Sequence, residues 1–180
     1  IETGLYLARH RYNWTGELEV GRQYSRKDVC RLLNWNSNEY STIYGYKVDF
    51  SSNSCPIFVT YHKHEDIDAS IDYDDLFIDH EHFAWQSRNR VRLESREMQG
   101  IRNPAMRKLL FIKKSDDEGF GHYYLGELDF LSNEQSTRLN DKGTELDVVN
   151  VRFRLHHPVG EKLYDYITDR EQEEVVALDA

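Results

Sequence analysis

Alternating apolar and polar positions occur along several segments of the chain and predict a β-rich protein. Residues 43–50, 120–130 and 149–155 alternate apolar with polar side chains, whereas residues 56–61 form a β-branched and aromatic run. Alternation is typical of a strand with one buried face, and a continuous apolar run is typical of a core strand. We therefore predict a strand at each of these segments and a further short strand at 83–85.

Two connections between the strands can also be predicted. Residues 109–114, which start with an apolar run, lead through the polar segment 115–119 to the strand at 120–130, so this region is predicted to form a hairpin. The segment from Asn133 to Gly143 carries several turn-forming residues and is predicted to be a loop.

Two segments have the apolar spacing of helices. Ser25 stands at an N-cap position with Asp28 three residues later, where the second partner of a capping box belongs, so a short core-facing helix is predicted within 24–35. Pro158 is suited to a first helical turn, and apolar residues within 159–167 then recur at helical spacing. We expect an amphipathic helix there, packed on the sheet.

Composition agrees with one folded domain. The 180 residues are 39% hydrophobic and 13% aromatic, which is too aromatic for a disordered chain. We predict a single α+β, β-rich domain over residues 1–180 with its core at about 24–170. The longest apolar runs are too short to span a bilayer and no leader is visible, so a cytoplasmic protein without a membrane partner is expected. Because the chain begins with Ile1, we expect it to be excised from a longer protein.

The sign of the charge changes around Trp85. The formal net charge is -9, and eight acidic residues lie between His62 and His82 against Lys63 alone. Residues 86–114, in contrast, hold nine basic residues against two acidic ones. Most of these are arginines, whose planar fork suits bidentate contact with phosphate. Polyanion binding is therefore the first hypothesis, and a solvated charged surface is the alternative.

Recognisable catalytic motifs are missing from the sequence. Gly119, Gly121 and Gly126 lack the Lys-Ser or Lys-Thr of a Walker phosphate loop, and no serine lies in a nucleophile elbow. His62 and His64 alternate on a predicted strand, but nothing fixes a third metal ligand. We predict no catalytic residue, no metal site and no cofactor for this chain.

Aromatic and polar residues accompany the basic segment. A base taken out of a duplex needs a stacking surface, an acceptor for its Watson–Crick edge and cations on the neighbouring phosphates. The sequence supplies all three kinds of residue near Trp85, although Trp85 can equally be a core indole.

An ordered set of short segments resembles a known bacterial domain. The segments are Tyr24–Val29, Leu32–Trp35, Cys55–Val59, Phe83–Ser87, Leu110–Ile112 and Tyr123–Gly126, with the single residues Lys63, Ser70, Tyr73, Asp75 and Phe77 between the third and the fourth. They are similar to a domain of unknown function at the C-terminus of superfamily 2 helicases, which often carry an N-terminal phospholipase-D-type nuclease. The resemblance runs from about Tyr24 to Leu155.

The resemblance implies a fold and a function. It implies the target-recognition domain of a SauUSI-like type IV restriction enzyme, with the curved pseudo-barrel of the SRA and PUA group and flanking helices. Such a domain would read 5-methylcytosine or 5-hydroxymethylcytosine in double-stranded DNA by base flipping. The partners would be that DNA and the helicase and nuclease domains of the same parent chain.

Residue chemistry then selects candidate site residues. For the modified-base pocket they are Trp85, Tyr73, Asp75, Tyr46 and Ser87. For the DNA backbone they are Arg88, Arg90, Arg92, Arg102 and Lys113. The alternative function is a module that docks onto the helicase or another protein without recognising a base, which the overall negative charge favours.

Overall fold

The helices and strands are those of a computed structural model that describes residues 17–36, 39–62 and 75–169. Within these ranges there are seven strands and three α-helices. The strands are β1 (Gln23–Tyr24), β2 (Ser54–His62), β3 (Leu76–Phe77), β4 (His82–Gln86), β5 (Arg107–Ser115), β6 (His122–Leu139) and β7 (Glu145–Leu155). The helices are α1 (Arg26–Leu32), α2 (Arg96–Arg102) and α3 (Glu161–Thr168), and short 3-10 turns lie at Tyr40–Thr42 and Asp116–Glu118.

All seven strands belong to one sheet. Its order is β2-β5-β6-β7-β4-β3, and β1 pairs separately with β6. The β2–β5 pair is parallel and the other pairs are antiparallel. The 18-residue strand β6 pairs with β5 along its first part and with β7 from Leu128 onwards. Register shifts at Leu110/Phe111 and Phe130/Ser132 interrupt these ladders, and such bulges bend a sheet toward a half-barrel.

Apolar side chains cover both faces of the β2–β5 pair. Ile57 and Leu110 belong to a large cluster, here called the barrel cluster, which also contains Trp85, Val151, Phe153, Met98, Ile101 and Ile167. Phe58 and Phe111 belong to a second group, the α1 cluster, with Tyr24, Val29, Cys30, Leu33, Ile43, Leu109 and Tyr124. Because neighbouring residues of a strand point to opposite faces, the two clusters lie on opposite sides of the sheet. This explains the continuous apolar run predicted for β2.

Helix α1 forms as its sequence predicts. The Ser25 hydroxyl accepts a hydrogen bond from the Asp28 backbone N–H at 3.2 Å, and the Asp28 carboxylate accepts one from the Ser25 N–H at 3.3 Å. Both bonds of the capping box are thus present, which satisfies donors that a helix start leaves without partners. Val29 and Cys30 are buried against the sheet.

The predicted strand at 43–50 is wrong, and the predicted loop at 133–143 is wrong except for its last part. Residues 43–50 make only isolated bridges, such as Tyr46 to Ile57, because Gly45 adopts a positive φ of 77° that breaks the extended backbone. Asn133 lies inside β6, whose polar second half pairs along its length with β7. The chain reverses only at Asn140–Gly143, where the Asn140 side chain accepts from the Thr144 N–H at 2.9 Å.

Two helices depart from the sequence prediction in different ways. Helix α2 was not predicted, although Met98 and Ile101, three residues apart, are fully buried in the barrel cluster. Helix α3 confirms the predicted amphipathic helix but begins at Glu161 after Gly160, so Pro158 lies before it. Its last turn is tied to β2 by a 2.8 Å hydrogen bond between His62 Nε2 and the Ile167 carbonyl. None of the three helices in the described ranges has the length and apolar character needed to cross a membrane.

Candidate nucleic-acid interface

Three arginines lie on the loop that follows β4. We call residues 87–92 the arginine loop, since it carries Arg88, Arg90 and Arg92. Backbone bonds to β7 hold it: the Ser87 N–H donates to the Val149 carbonyl at 2.9 Å, and the Arg90 N–H donates to the Asp147 carbonyl at 2.7 Å. The loop therefore presents its side chains from a backbone that is fixed to the sheet.

Ser87 anchors this loop rather than facing solvent. The residue is buried, and its hydroxyl accepts from the Val149 N–H at 2.9 Å and donates to the Arg88 carbonyl at 3.0 Å. Both hydrogen-bonding functions of the hydroxyl are thus used within the protein. The structure gives Ser87 a structural role at the position where a pocket residue was predicted.

Arg90 has an unusual backbone conformation. Its φ is 66°, in the left-handed region that few residues with a side chain adopt. Its side chain is exposed, and no hydrogen bond or ion pair to it occurs among the described residues. Strain of this kind at an exposed, unpaired arginine is a reason to consider a ligand contact.

Arg88 and Arg92 are paired with acidic residues. Arg88 donates from Nη2 to Glu97 at 2.8 Å, and Arg92 lies 3.5 Å from the Asp147 carboxylate. Burial opposes the charge on Arg88, but its hydrogen bond to Glu97 and that residue's charge outweigh this effect and raise the pKa of Arg88. A phosphate would therefore have to displace the carboxylates of Glu97 and Asp147 before it could bind these two guanidinium groups.

Two of the three aromatic pocket candidates lie in the core beneath Arg88. Tyr46 and Trp85 are 2% and 3% exposed, and their ring centroids are 4.7 Å apart at an interplanar angle of 82°. Trp85 also contacts Phe153 at 5.9 Å. Burial, followed by the charge of Glu97, raises the pKa of Tyr46, so its hydroxyl stays protonated. Trp85 is thus a core indole in this conformation, and a stacking role for either ring stays a prediction.

Asp75 lies at the outer edge of the same region. Its Oδ1 accepts a hydrogen bond from the Gln86 N–H at 2.8 Å, which places its carboxylate beside the last residue of β4. The Gln86 side chain donates to Asn150 at 2.9 Å and accepts from Arg138 at 3.5 Å. Tyr73, the remaining pocket candidate, lies outside the described residues.

The structure does not bring Lys113 to the arginine loop. Lys113 lies on β5 opposite Thr60, and its ammonium group contacts Asp116 at 3.3 Å and the Gly119 carbonyl at 3.2 Å. Arg102 is the last residue of α2 and is half-buried. The predicted backbone-binding set is therefore divided between different parts of the molecule.

Sequence reasoning missed the acidic partners of the loop. Glu97 and Asp147 are far apart in sequence, and only the folded chain brings them to Arg88 and Arg92. Among the described residues no three metal-ligating side chains form a group that could hold a metal ion. A cavity of about 320 Å³ between Leu33, Tyr124 and His156 is lined by none of the predicted pocket residues.

The class of fold is a strand-rich half-barrel of the kind found in a solved restriction endonuclease. The chain belongs to the DUF3427 family, a domain of unknown function, whose model matches residues 18–167. The DNA modification-dependent restriction endonuclease AspBHI is similar over 86% of this chain and 46% of its own, with 10% identity and a TM-score of 0.52. This likeness confirms the predicted α+β, β-rich, curved fold.

Two other solved structures also match. One contains the sulfur binding domain and SRA domain of ScoMcrA with phosphorothioated DNA, at 12% identity and a TM-score of 0.45 over 91% of this chain and 46% of that one. The other is KRYPTONITE in complex with mCHG DNA and SAH, at 10% identity and a TM-score of 0.46 over 88% of this chain and 38% of that one. This chain thus spans less than half the length of all three proteins. No protein with a curated description matches the sequence.

Proposed function

We propose that this chain is a DNA-binding target-recognition domain that reads a modified base, with 5-methylcytosine or 5-hydroxymethylcytosine as the expected base. The observation that carries the proposal is the arginine loop on a half-barrel of the AspBHI type, with Arg90 exposed and unpaired among the described residues. Three arginines on a fixed backbone suit a row of phosphates. The likeness to AspBHI concerns the fold, so the base and the flipping step rest on residue chemistry and on the resemblance described above.

Electrostatics limits the DNA contact to a part of the surface. The net charge of -9 repels a polyanion from most of the molecule. Arg90 would make the first phosphate contact, and Arg88 and Arg92 would follow by exchanging Glu97 and Asp147 for phosphate oxygens. Affinity should consequently fall steeply with salt concentration.

Recognition of a flipped base would require a local opening. Arg88 covers the ring of Tyr46, so its movement toward a phosphate would uncover an aromatic face. Asp75, whose Oδ1 accepts from the Gln86 N–H, would accept a further hydrogen bond from the exocyclic amine of cytosine. A methyl group in an apolar pocket adds about 1–3 kcal/mol of discrimination, roughly tenfold to a hundredfold in affinity.

The domain is proposed to serve a larger restriction enzyme. On this proposal the chain is non-catalytic and needs no cofactor, and helicase and nuclease domains of the same parent chain act on the DNA it selects. The resemblance in sequence supports this arrangement.

Fluorescence anisotropy on matched duplexes tests the proposal. The duplexes differ at one position and carry cytosine, 5-methylcytosine, 5-hydroxymethylcytosine or N6-methyladenine, each measured across a salt series. We expect tighter binding to one modified cytosine. No binding to any duplex at low salt would reject DNA recognition and favour the docking module.

Variants then separate phosphate from base contacts. Replacing Arg88 and Arg90 together by Gln should weaken all duplexes alike and reduce the salt slope by about 2. Asp75→Asn should reduce the preference for the modified duplex while leaving binding to plain DNA intact. Lys162→Gln, which removes one exposed charge from α3, is the control and should change neither. An unchanged salt slope in the double variant would exclude the arginine loop as the DNA contact.

A further inference from the structure

Arg26 is a half-buried arginine without an acidic partner. Its guanidinium carbon lies 5.2 Å from the centre of the Phe58 ring, and its Nε is buried with no hydrogen-bond partner. Among the described residues no carboxylate forms an ion pair with it. Burial lowers the pKa of Arg26. A charged group that is partly removed from water and unpaired is unfavourable, so an anionic ligand would stabilise it.

His122 adjoins the same aromatic ring. It is 1% exposed, its ring centroid lies 5.1 Å from that of Phe58, and its Nδ1 is buried without a hydrogen-bond partner. Burial first, and then the charges of Arg26 and Lys113, lower the pKa of His122 to about 4. The Phe120 carbonyl and Asp116 act in the opposite direction, and the imidazole is neutral at neutral pH.

Lys113 completes a set of three basic side chains on one face of the sheet. The register of β5 and β6 pairs Ile112 with Tyr123, so the next pair along the ladder places Lys113 beside His122. Its side chain is only 12% exposed, and its ammonium group lies 3.3 Å from the Asp116 carboxylate, which a phosphate would have to displace. Since Phe58 and Phe111 belong to the α1 cluster and residues two apart share a face, Lys113 lies on the α1 side of the sheet.

We propose that Arg26, Lys113 and His122 form a binding site for a phosphate group on the α1 side of the sheet. Arg26 offers two parallel N–H donors to a pair of oxyanion oxygens, and Lys113 offers a point charge. The His122 ring offers one further donor when it takes up a proton, which a bound phosphate would favour. The phosphate can belong to inorganic phosphate or to a nucleic-acid strand, because both present the same oxygens. Phe58, whose ring centroid lies 4.8 Å from that of Phe111, is the ring that both Arg26 and His122 contact.

This site is separate from the arginine loop. His122 is the first residue of β6, whereas the arginine loop adjoins Gln135 further along the same strand, whose side-chain amide donates to the Val91 carbonyl at 3.4 Å. The barrel cluster that contains Trp85 lies on the other face of the sheet. Phosphate binding here would therefore hold even if the domain read no modified base.

Proton NMR of the His122 ring in the whole chain tests the inference. Inorganic phosphate is titrated against chloride at equal ionic strength, and we expect saturable shifts of the His122 ring signals with a rise of its pKa toward the ordinary value. Arg26→Gln, which keeps a polar side chain but removes the charge, should weaken phosphate binding at least about tenfold. Lys27→Gln, an exposed neighbour on α1, is the matched control and should bind phosphate as the unmodified chain does.

Each outcome has one meaning. Saturation by inorganic phosphate that Arg26→Gln removes supports the site, and Lys113→Gln should reproduce the loss if Arg26→Gln fails to fold. An unmodified DNA duplex that shifts His122 where inorganic phosphate does not would place the phosphate in a nucleic-acid strand. Equal phosphate binding by Arg26→Gln and Lys27→Gln, or no shift with either ligand, would overturn the proposal.

Discussion

The Arg88 guanidinium lies 4.4 Å from the centre of the Tyr46 ring and covers one face of this buried pocket candidate. Glu97 holds it there through a 2.8 Å hydrogen bond. The next ring inward is Trp85, which meets Tyr46 edge-on. In the proposed function a phosphate that withdrew Arg88 would also uncover Tyr46, so one side chain would couple the backbone contact to base stacking.

Replacing Trp85 should primarily affect stability. Because the indole is buried between Tyr46 and Phe153, Trp85→Ala leaves a cavity and is expected to lower the free energy of unfolding by about 3–5 kcal/mol. Urea unfolding followed by far-UV circular dichroism measures this loss. Tyr44→Ala is the control, since Tyr44 is 72% exposed and its removal should cost less than about 0.5 kcal/mol. A loss below about 1 kcal/mol for Trp85→Ala would contradict the core role.

Close packing of α2 gives a second prediction. A Cβ at Gly100 would lie 2.7 Å from a methyl carbon of Val48 and 3.2 Å from the Phe50 ring. Gly100→Ala should therefore push α2 away from residues 48–50 and lower the free energy of unfolding by about 1–3 kcal/mol. The midpoint of urea unfolding measures the change.

The control for Gly100 is another glycine with room for a side chain. At Gly121 a Cβ would lie 3.5 Å from the nearest atom of Gln23, an ordinary contact distance. Gly121→Ala should leave the unfolding midpoint almost unchanged. If Gly100→Ala were equally neutral, the close contact between α2 and residues 48–50 would be wrong.

Local sequence patterns predicted most of the elements that bury a single face. The Ser25–Asp28 capping box located α1, and the alternation of Val149, Val151 and Phe153 located β7, because each pattern depends on one buried face. The β5–β6 hairpin was also predicted, with its turn at the polar residues now seen in a 3-10 turn.

Long-range pairing limited the rest of the fold prediction. The residues before and after Asn133 in β6 are mostly polar, which is typical of a loop, but their backbone pairs with β7. Residues 96–102 were interpreted as part of a charged surface. They form a helix because its Met98 and Ile101 are buried. Tertiary contacts override local preference in both segments.

The candidate site was predicted only in part for the same reason. Charge in the sequence pointed to Arg88, Arg90 and Arg92, which do share one loop. It also pointed to Lys113, which was grouped with these arginines only because it lies near them in the sequence. The pairing of Arg88 with Glu97 and of Arg92 with Asp147 depends on the fold and has no local signal.

Arg90 provides a test in which stability and binding change in opposite directions. Glycine adopts a φ of 66° without the steric cost that a side chain incurs, so Arg90→Gly should keep or raise the free energy of unfolding by up to about 1 kcal/mol. The same substitution removes an exposed charge and should weaken DNA binding on all duplexes. Thermal unfolding and anisotropy across a salt series measure the two effects.

Arg90→Ala separates the side chain from the backbone. Alanine loses the charge but keeps the left-handed strain, so it should weaken DNA to the same extent as Arg90→Gly without gaining stability. A slope of log affinity against log salt that drops by about 1 in both variants identifies a single phosphate contact. Unaltered DNA affinity in both variants would show that Arg90 contacts no phosphate.

His122 should make stability depend on pH between neutral and mildly acidic conditions. Burial, with the charges of Arg26 and Lys113, lowers its pKa to about 4, whereas an unfolded histidine titrates near about 6.5. Between these values the unfolded chain binds a proton that the folded chain does not. The stabilisation is therefore complete above about pH 6.5 and is lost as the pH falls toward 4, by up to about 3 kcal/mol.

Urea unfolding at a series of pH values in phosphate-free buffer measures this loss. His122→Phe is the comparison, because phenylalanine keeps an aromatic ring but does not titrate. The free energy of His122→Phe should fall less between pH 7 and pH 4.5 than that of the unmodified chain, and parallel losses would assign the acid sensitivity to other groups.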